Sequence, residues 1–199
     1  MKKAVIAIVA GAATLIGGSS GARAADNFIL DVDHTNVLFF VNHLGFTTME
    51  GEFDDVQGRF VFDQEDVSKS SVKVTIQAAS VDTDVDALDD HLRGPDFFDA
   101  KQFLELTFKS RKIEKTGEKT GRITGDLTLH GVTGSVTLDV KFNREGVHPM
   151  TKNFVAGFSA AASLKRSDYG IVYGTPFVGD QVDIRIEVEG LRQDPAEKP

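Results

Sequence analysis

Gln181-Val182-Asp183-Ile184-Arg185-Ile186-Glu187-Val188-Glu189 alternates polar and apolar side chains without a break. That period of two is a β-strand with Val182, Ile184, Ile186 and Val188 on a buried face and the polar residues in water. The same reading holds for Ser71 to Ala78, where Val72, Val74, Ile76 and Ala78 share a face, for Leu104, Leu106 and Phe108, and for Val136, Leu138, Val140 and Phe142. Further strands are expected at Phe28 to Asp31, Asn36 to His43, Val56 to Phe62, Ile123 to Leu129 and Phe154 to Leu164. Turns at Lys115 to Gly121 and Gly131 to Gly134 join neighbours as hairpins. About eight or nine short antiparallel strands, each with one apolar face, predict an all-β domain closed as a barrel or paired as a sandwich.

One short helix interrupts the strands. Thr83 stands where it can cap the helix with Asp86 three residues on, Val85, Leu88 and Leu92 fall on one face, and Gly94-Pro95 ends it. Asp82, Asp84 and Asp86 occupy the first three ligand positions of a calcium loop, but Ala87 replaces the required turn glycine and Arg93 the final glutamate. The five histidines, spread from position 34 to 148, show no paired-ligand spacing, so no metal or other cofactor is expected.

Phenylalanine is the unusual part of the composition: 15 Phe and no Trp in 199 residues. An eight-stranded barrel has an interior that side chains just fill or that holds one slim ligand. The rings therefore either pack a solid core or wall an apolar tunnel. In a tunnel, burial at about 0.8 kcal/mol per CH₂ gives a ~20-carbon chain roughly 16 kcal/mol gross, cut heavily by ordering costs. Strand parity turns Val37, Phe39 and Val41 inward, and His43 with them. The inner wall is expected to include Phe60, Ile76, Phe108, Leu127 and Leu129 as well, with Phe46, Leu92, Phe97, Phe98 and Ile171 closing the ends or lying beside a bound chain.

Residues 1–24 read as a cleaved secretory signal: Lys2 and Lys3 precede the apolar run Ala4 to Ile16, and Ala22-Arg23-Ala24 offers small residues for cleavage after Ala24. Residues 25–192 then form one domain, and 193–199 a frayed polar tail. The bacterial look of the leader places the chain in the periplasm, with secretion into the medium as the other destination. Losing Lys2, Lys3 and Arg23 makes the mature chain three units more negative than the -8 of the whole sequence. A surface that acidic repels nucleic acid and anionic lipid headgroups, and no later apolar run suits a stable membrane insertion. Without cysteine there is no disulfide, thiolate nucleophile or acylated lipoprotein anchor. No Gly-x-Ser-x-Gly elbow occurs either.

Four blocks, in order, resemble one family. Asp31-Val32-Asp33-His34-Thr35 with Val37, Phe39, Val41, His43, Gly45, Gly51 and Phe53 resembles the opening of the YceI-like family of bacterial exported proteins. Ser80, Thr83, Asp89 and His91-Leu92-Arg93-Gly94-Pro95-Asp96-Phe97-Phe98-Asp99, followed by Phe108-Lys109-Ser110, resemble its central motif. Gly125-Asp126-Leu127-Thr128-Leu129-His130-Gly131-Val132-Thr133 resembles its later hairpin, and Arg166-Ser167-Asp168-Tyr169-Gly170-Ile171 its near-terminal signature. The sequence departs from the family pattern at Leu88, Leu104 and Gly134-Ser135. The resemblance implies a lipocalin-like antiparallel β-barrel whose pore binds polyisoprenoids or similar long-chain amphiphiles.

The reading that joins these lines is a lipid carrier without catalysis. Arg93 and Arg166, in loop-like blocks with apolar neighbours, are the candidates for clamping a polar headgroup. The competing role for each is a structural ion pair with Asp96, Asp99 or Asp168. Two other readings stay open. One is an isomerase or cyclase acting on an enclosed apolar substrate, with His43 or Arg93 polarising a group. The other is a solid-core interaction protein of envelope stress. Leu38 and Phe40, on the outer face, are candidates to support a homodimer.

Overall fold

The computed structural model describes residues 25–193, so the expected signal peptide and residues 194–199 of the expected tail lie outside the described residues. Eleven strand segments form one antiparallel sheet: β1 (Asp26–Leu30), β2 (Asn36–His43), β3 (Thr47–Phe53), β4 (Val56–Phe62), β5 (Ser71–Gln77), β6 (Val81–Asp82), β7 (Glu105–Lys115), β8 (Thr120–Leu129), β9 (Val132–Val147), β10 (Phe154–Lys165) and β11 (Val178–Arg192). The pairing runs β1-β4-β5-β7-β8-β9-β10-β11 and returns to β1, closing an eight-stranded antiparallel barrel. β2, β3 and β6 continue the wall beyond β11: β2 pairs with the first part of β11, β3 with β2, and β6 with β3.

Eleven segments make eight walls because three strands are each broken once. Between β1 and β2 the Asp31 side chain accepts from the Asp33 amide and starts a single 3-10 turn, Val32–His34. Asp54 and Asp55 separate β3 from β4, and a second 3-10 turn, Ala78–Ser80, separates β5 from β6. The latter two breaks face each other, with the Asp54 amide on the Ser80 carbonyl and the Gln77 amide on the Asp55 carbonyl. β3 escapes a reading by alternation because Gly51 holds the inward place opposite Phe39, where an apolar side chain would be looked for. A Cβ at Gly51 would lie 2.3 Å from the Phe39 Cζ. The ring thus lies against the wall in the space a side chain would take, as Phe108 does over Gly125 and Phe60 over Gly190.

Helix α1 (Asp86–Leu92) is present, but the expected cap is not its start. Val85 is the N-cap residue and lends no side-chain bond. Thr83 instead donates, from its amide at 2.8 Å and its hydroxyl at 2.6 Å, to the buried carboxylate of Asp89. The residue expected as a cap is therefore a donor to the helix's own inward acid. Between β8 and β9, His130 (φ 51°) and Gly131 (φ 75°) form the two-residue turn that a tight hairpin demands. At the far end of the chain the Gln193 amide bonds the Asn27 carbonyl, so ordered pairing runs one residue past the expected domain boundary.

Candidate functional site

The inward faces do not meet at the barrel axis. They enclose a cavity of about 690 Å³, within the ~300–1,000 Å³ usual for ligand pockets. Its lining spans the barrel, from Leu92, Phe97, Phe98 and Ile171 beside α1 to Ile113 and Ile123 in the β7–β8 hairpin. Val37, Phe39, Ile76, Leu138, Ile184 and Ile186 all line it and all are half-buried although they point inward, because their remaining exposure is to this cavity. Packing is complete where walls meet: Phe28 is 1% exposed and stacks on Phe60 with ring centroids 4.8 Å apart.

Two aromatic groups border the space. Phe60, Phe62, Phe142 and Phe158 meet edge to face or tilted at 5.1–5.6 Å. Beside α1, Phe39, Phe53 and Phe98 form a second set at 5.4–6.4 Å. Next to these, His91, Phe97 and Tyr173 pack ring against ring at 4.9–5.4 Å, and the His91 imidazole also meets Asp96 Oδ2 at 3.2 Å.

Most of the residues singled out in the sequence border this cavity: Val37, Phe39, Val41, His43, Phe60, Ile76, Leu92, Phe97, Phe98, Phe108, Leu127, Leu129, Ile171 and Arg166. Phe46 and Arg93 do not. Phe46 sits on the β2–β3 turn with its ring 85% exposed, because Gly45 and Leu44 take positive φ there and carry it off the strand before parity can turn it inward. Arg93 donates to the Ala79 carbonyl at 2.9 Å, the Val81 carbonyl at 2.8 Å and Asp90 Oδ1 at 3.3 Å, which ties α1 to the β5–β6 break. This removes one of the two groups named for the enzyme reading.

Arg166 lines the cavity, 5% exposed, with its guanidinium on three backbone carbonyls: Gly179 at 2.8 Å, Val178 at 3.1 Å and Ile171 at 3.3 Å. It forms no ion pair with a described residue; the expected partner, Asp168, is exposed. Burial lowers its pKa, opposed by the nearby charge of Asp180. Asp180 is itself held by Ser167, whose amide and hydroxyl donate at 3.0 and 2.9 Å and push the carboxyl below its ordinary value.

The charged rim of the opposite end gave no signal in the sequence. Glu114, Lys115, Glu118, Lys119 and Arg122, on and around the β7–β8 turn, border the cavity with exposed side chains. Arg122 is taken by Asp139 at 3.0 Å and Glu114 by Lys112 at 2.7 Å. Lys115 and Lys119 have no ion-pair partner among the described residues. No helix among the described residues is long and apolar enough to cross a membrane.

A closed antiparallel barrel with this strand order and a YceI-like domain model matching residues 28–190 decide the family. The chain belongs to the YceI-like family. A UPF0312 protein of Ectopseudomonas mendocina is 40% identical over 195 residues, covering 97% of this chain and 100% of that one. Among solved structures, Burkholderia cenocepacia BcnA superposes with a TM-score of 0.74 at 27% identity, covering 80% of this chain and 98% of BcnA. A Saccharophagus degradans protein described as a polyisoprenoid binding domain superposes with a TM-score of 0.63 at 15% identity, covering 83% and 98% of the two chains. At that identity the likeness is one of YceI-like fold.

Proposed function

We propose that this YceI-like barrel is an exported, non-catalytic carrier that encloses the chain of a polyisoprenoid or other long-chain amphiphile. The observation that carries the proposal is the cavity of about 690 Å³ walled by apolar strands from end to end. Water in so apolar a space finds few partners, whereas a hydrocarbon chain gains about 0.8 kcal/mol for each CH₂ it buries there. The description of the Saccharophagus degradans domain supports the same ligand class. Export to the periplasm rests on the reading of residues 1–24.

The polar head of such a cargo is assigned to the β7–β8 end. Arg166 is the cation at the other end, and its guanidinium is already engaged by three carbonyls. Lys115 and Lys119 border the cavity with exposed side chains and no ion-pair partner among the described residues.

Native mass spectrometry of the protein taken from its own periplasm tests the carrier reading. A stoichiometric lipid, recovered unchanged, is the expected result; an empty barrel overturns it, and a converted lipid favours the isomerase or cyclase. Phe108→Asp adds a second readout. With a hollow lumen the new carboxylate draws its own water of hydration into the cavity, so lipid loading falls more than stability; equal loss of both is the mark of a filled core.

A further inference from the structure

On the outer face of the wall, where β1 meets β11 and closes the barrel, three side chains of different segments converge. Asp31 follows β1, His34 ends the 3-10 turn after it, and Glu189 lies on β11. The Asp31 amide donates to the Glu189 carbonyl at 2.9 Å, which fixes the two backbones side by side. One donor atom from each of the three side chains lies within 4.8 Å of the other two. His34 Nδ1 and Asp31 Oδ2 are 3.0 Å apart. The Glu189 carboxylate, by contrast, has no hydrogen-bond or ion-pair partner among the described residues.

We propose that Asp31, His34 and Glu189 form a divalent-cation site, of a kind that takes zinc, at the closure seam of the barrel. One imidazole nitrogen and two carboxylates suit a borderline ion such as Zn²⁺ and are a poor set for Ca²⁺ or Mg²⁺, which prefer all-oxygen shells. Bonds of about 2.0–2.2 Å to a tetrahedral zinc put neighbouring ligands roughly 3.3 Å apart. The Asp31–His34 pair already has about that spacing, and the long Glu189 side chain closes the remainder by a rotamer change. The carboxylates of Asp31 and Glu189, with Asp33 beside them in sequence, present an incoming cation with a negative field. Three protein ligands leave one coordination position for water. The ion bridges the two strands whose pairing closes the wall, so it acts as a staple; it faces away from the lumen and is independent of the carrier proposal.

Isothermal titration of the EDTA-stripped full chain with ZnCl₂, at neutral pH, tests this directly. One Zn²⁺ per chain at micromolar Kd is expected, with no heat from CaCl₂ or MgCl₂ at the same concentration. Saturation raises Tm by about 5–10 °C, because binding to the folded state alone adds its free energy to stability. Glu189→Gln and His34→Ala each weaken binding at least tenfold while the circular dichroism spectrum of the strands is kept. On the unaltered chain, imidazole nitrogen resonances give a readout that needs no variant: His34 shifts on zinc addition and His43, His91, His130 and His148 do not. Zinc that binds equally to both variants, a shift at another histidine in place of His34, or no binding up to 1 mM (about 4 kcal/mol of affinity) overturns the site.

Discussion

The two ends of the barrel are built on opposite plans. At the end beside α1, polar side chains are buried or half-buried and engaged: Asp89 accepts from Thr83, Arg93 and Arg166 spend donors on backbone carbonyls, and Ser167 holds Asp180. At the β7–β8 end the polar residues are exposed, and two lysines at the cavity rim have no ion-pair partner among the described residues. Polar groups that hold loops in place are unavailable to a ligand, because breaking them leaves buried carbonyls and carboxylates unsatisfied. Polar groups in water cost little to redirect. The hydrogen-bond partners of a charged residue near an apolar cavity thus decide whether it is free to meet a ligand or serves as a structural pin.

Substitutions that treat the two ends alike sharpen the contrast. Arg166→Met is the largest perturbation. It removes three hydrogen bonds from a cation to carbonyls of the β10–β11 connection and the start of β11, and urea unfolding should report a loss of about 2–4 kcal/mol. A neutral effect there breaks the comparison. Next comes Gly51→Ala. Its Cβ would stand 2.3 Å from the Phe39 Cζ, so the ring leaves the wall for the lumen. Overpacking of this kind costs about 1–3 kcal/mol, and a fluorescent long-chain probe should bind more weakly as the cavity narrows. Probe affinity that holds while stability falls would show that the ring moves elsewhere.

At the other end, Lys115→Glu combined with Lys119→Glu should leave stability within about 0.5 kcal/mol, since both side chains are exposed and neither has an ion-pair partner among the described residues. The same pair should lower affinity for an amphiphile with a phosphate head, on the order of tenfold at low salt, and leave a neutral alcohol of the same chain nearly unaffected. Equal loss for both probes would remove the headgroup from this mouth and return attention to Arg166.

The barrel was legible because alternation is a local signal. β2 and β4 run over the expected residues, and β5, β10 and β11 differ at their ends alone. What escaped depends on partners distant in sequence. β3 carries glycine at an inward position because a ring from β2 lies over it. The hairpin from Ile113 to Ile123 borders the cavity although Glu114, Lys115, Glu118 and Lys119 read as a solvated turn. Arg93 and Arg166 look equivalent as cations among apolar neighbours, yet folding sets one on the β5–β6 break and the other against the lumen. Glu189 reaches Asp31 and His34 solely through barrel closure, so no spacing rule finds that trio.

The smallest effect concerns acid. Ser167 donates two hydrogen bonds to the Asp180 carboxylate, and this holds its folded pKa below the unfolded value of about 3.9. A depressed pKa contributes stability that is fully present above the unfolded value and is lost as pH falls through the folded one. Unfolding midpoints measured between pH 6 and pH 2 should therefore decline through the acid limb, and Asp180→Asn should flatten part of that decline while leaving the lysine mouth unchanged. An acid limb identical in the variant would mean that Ser167 and Asp180 do not help hold the Arg166 loop, and that the guanidinium's three carbonyls fix the capped end without them.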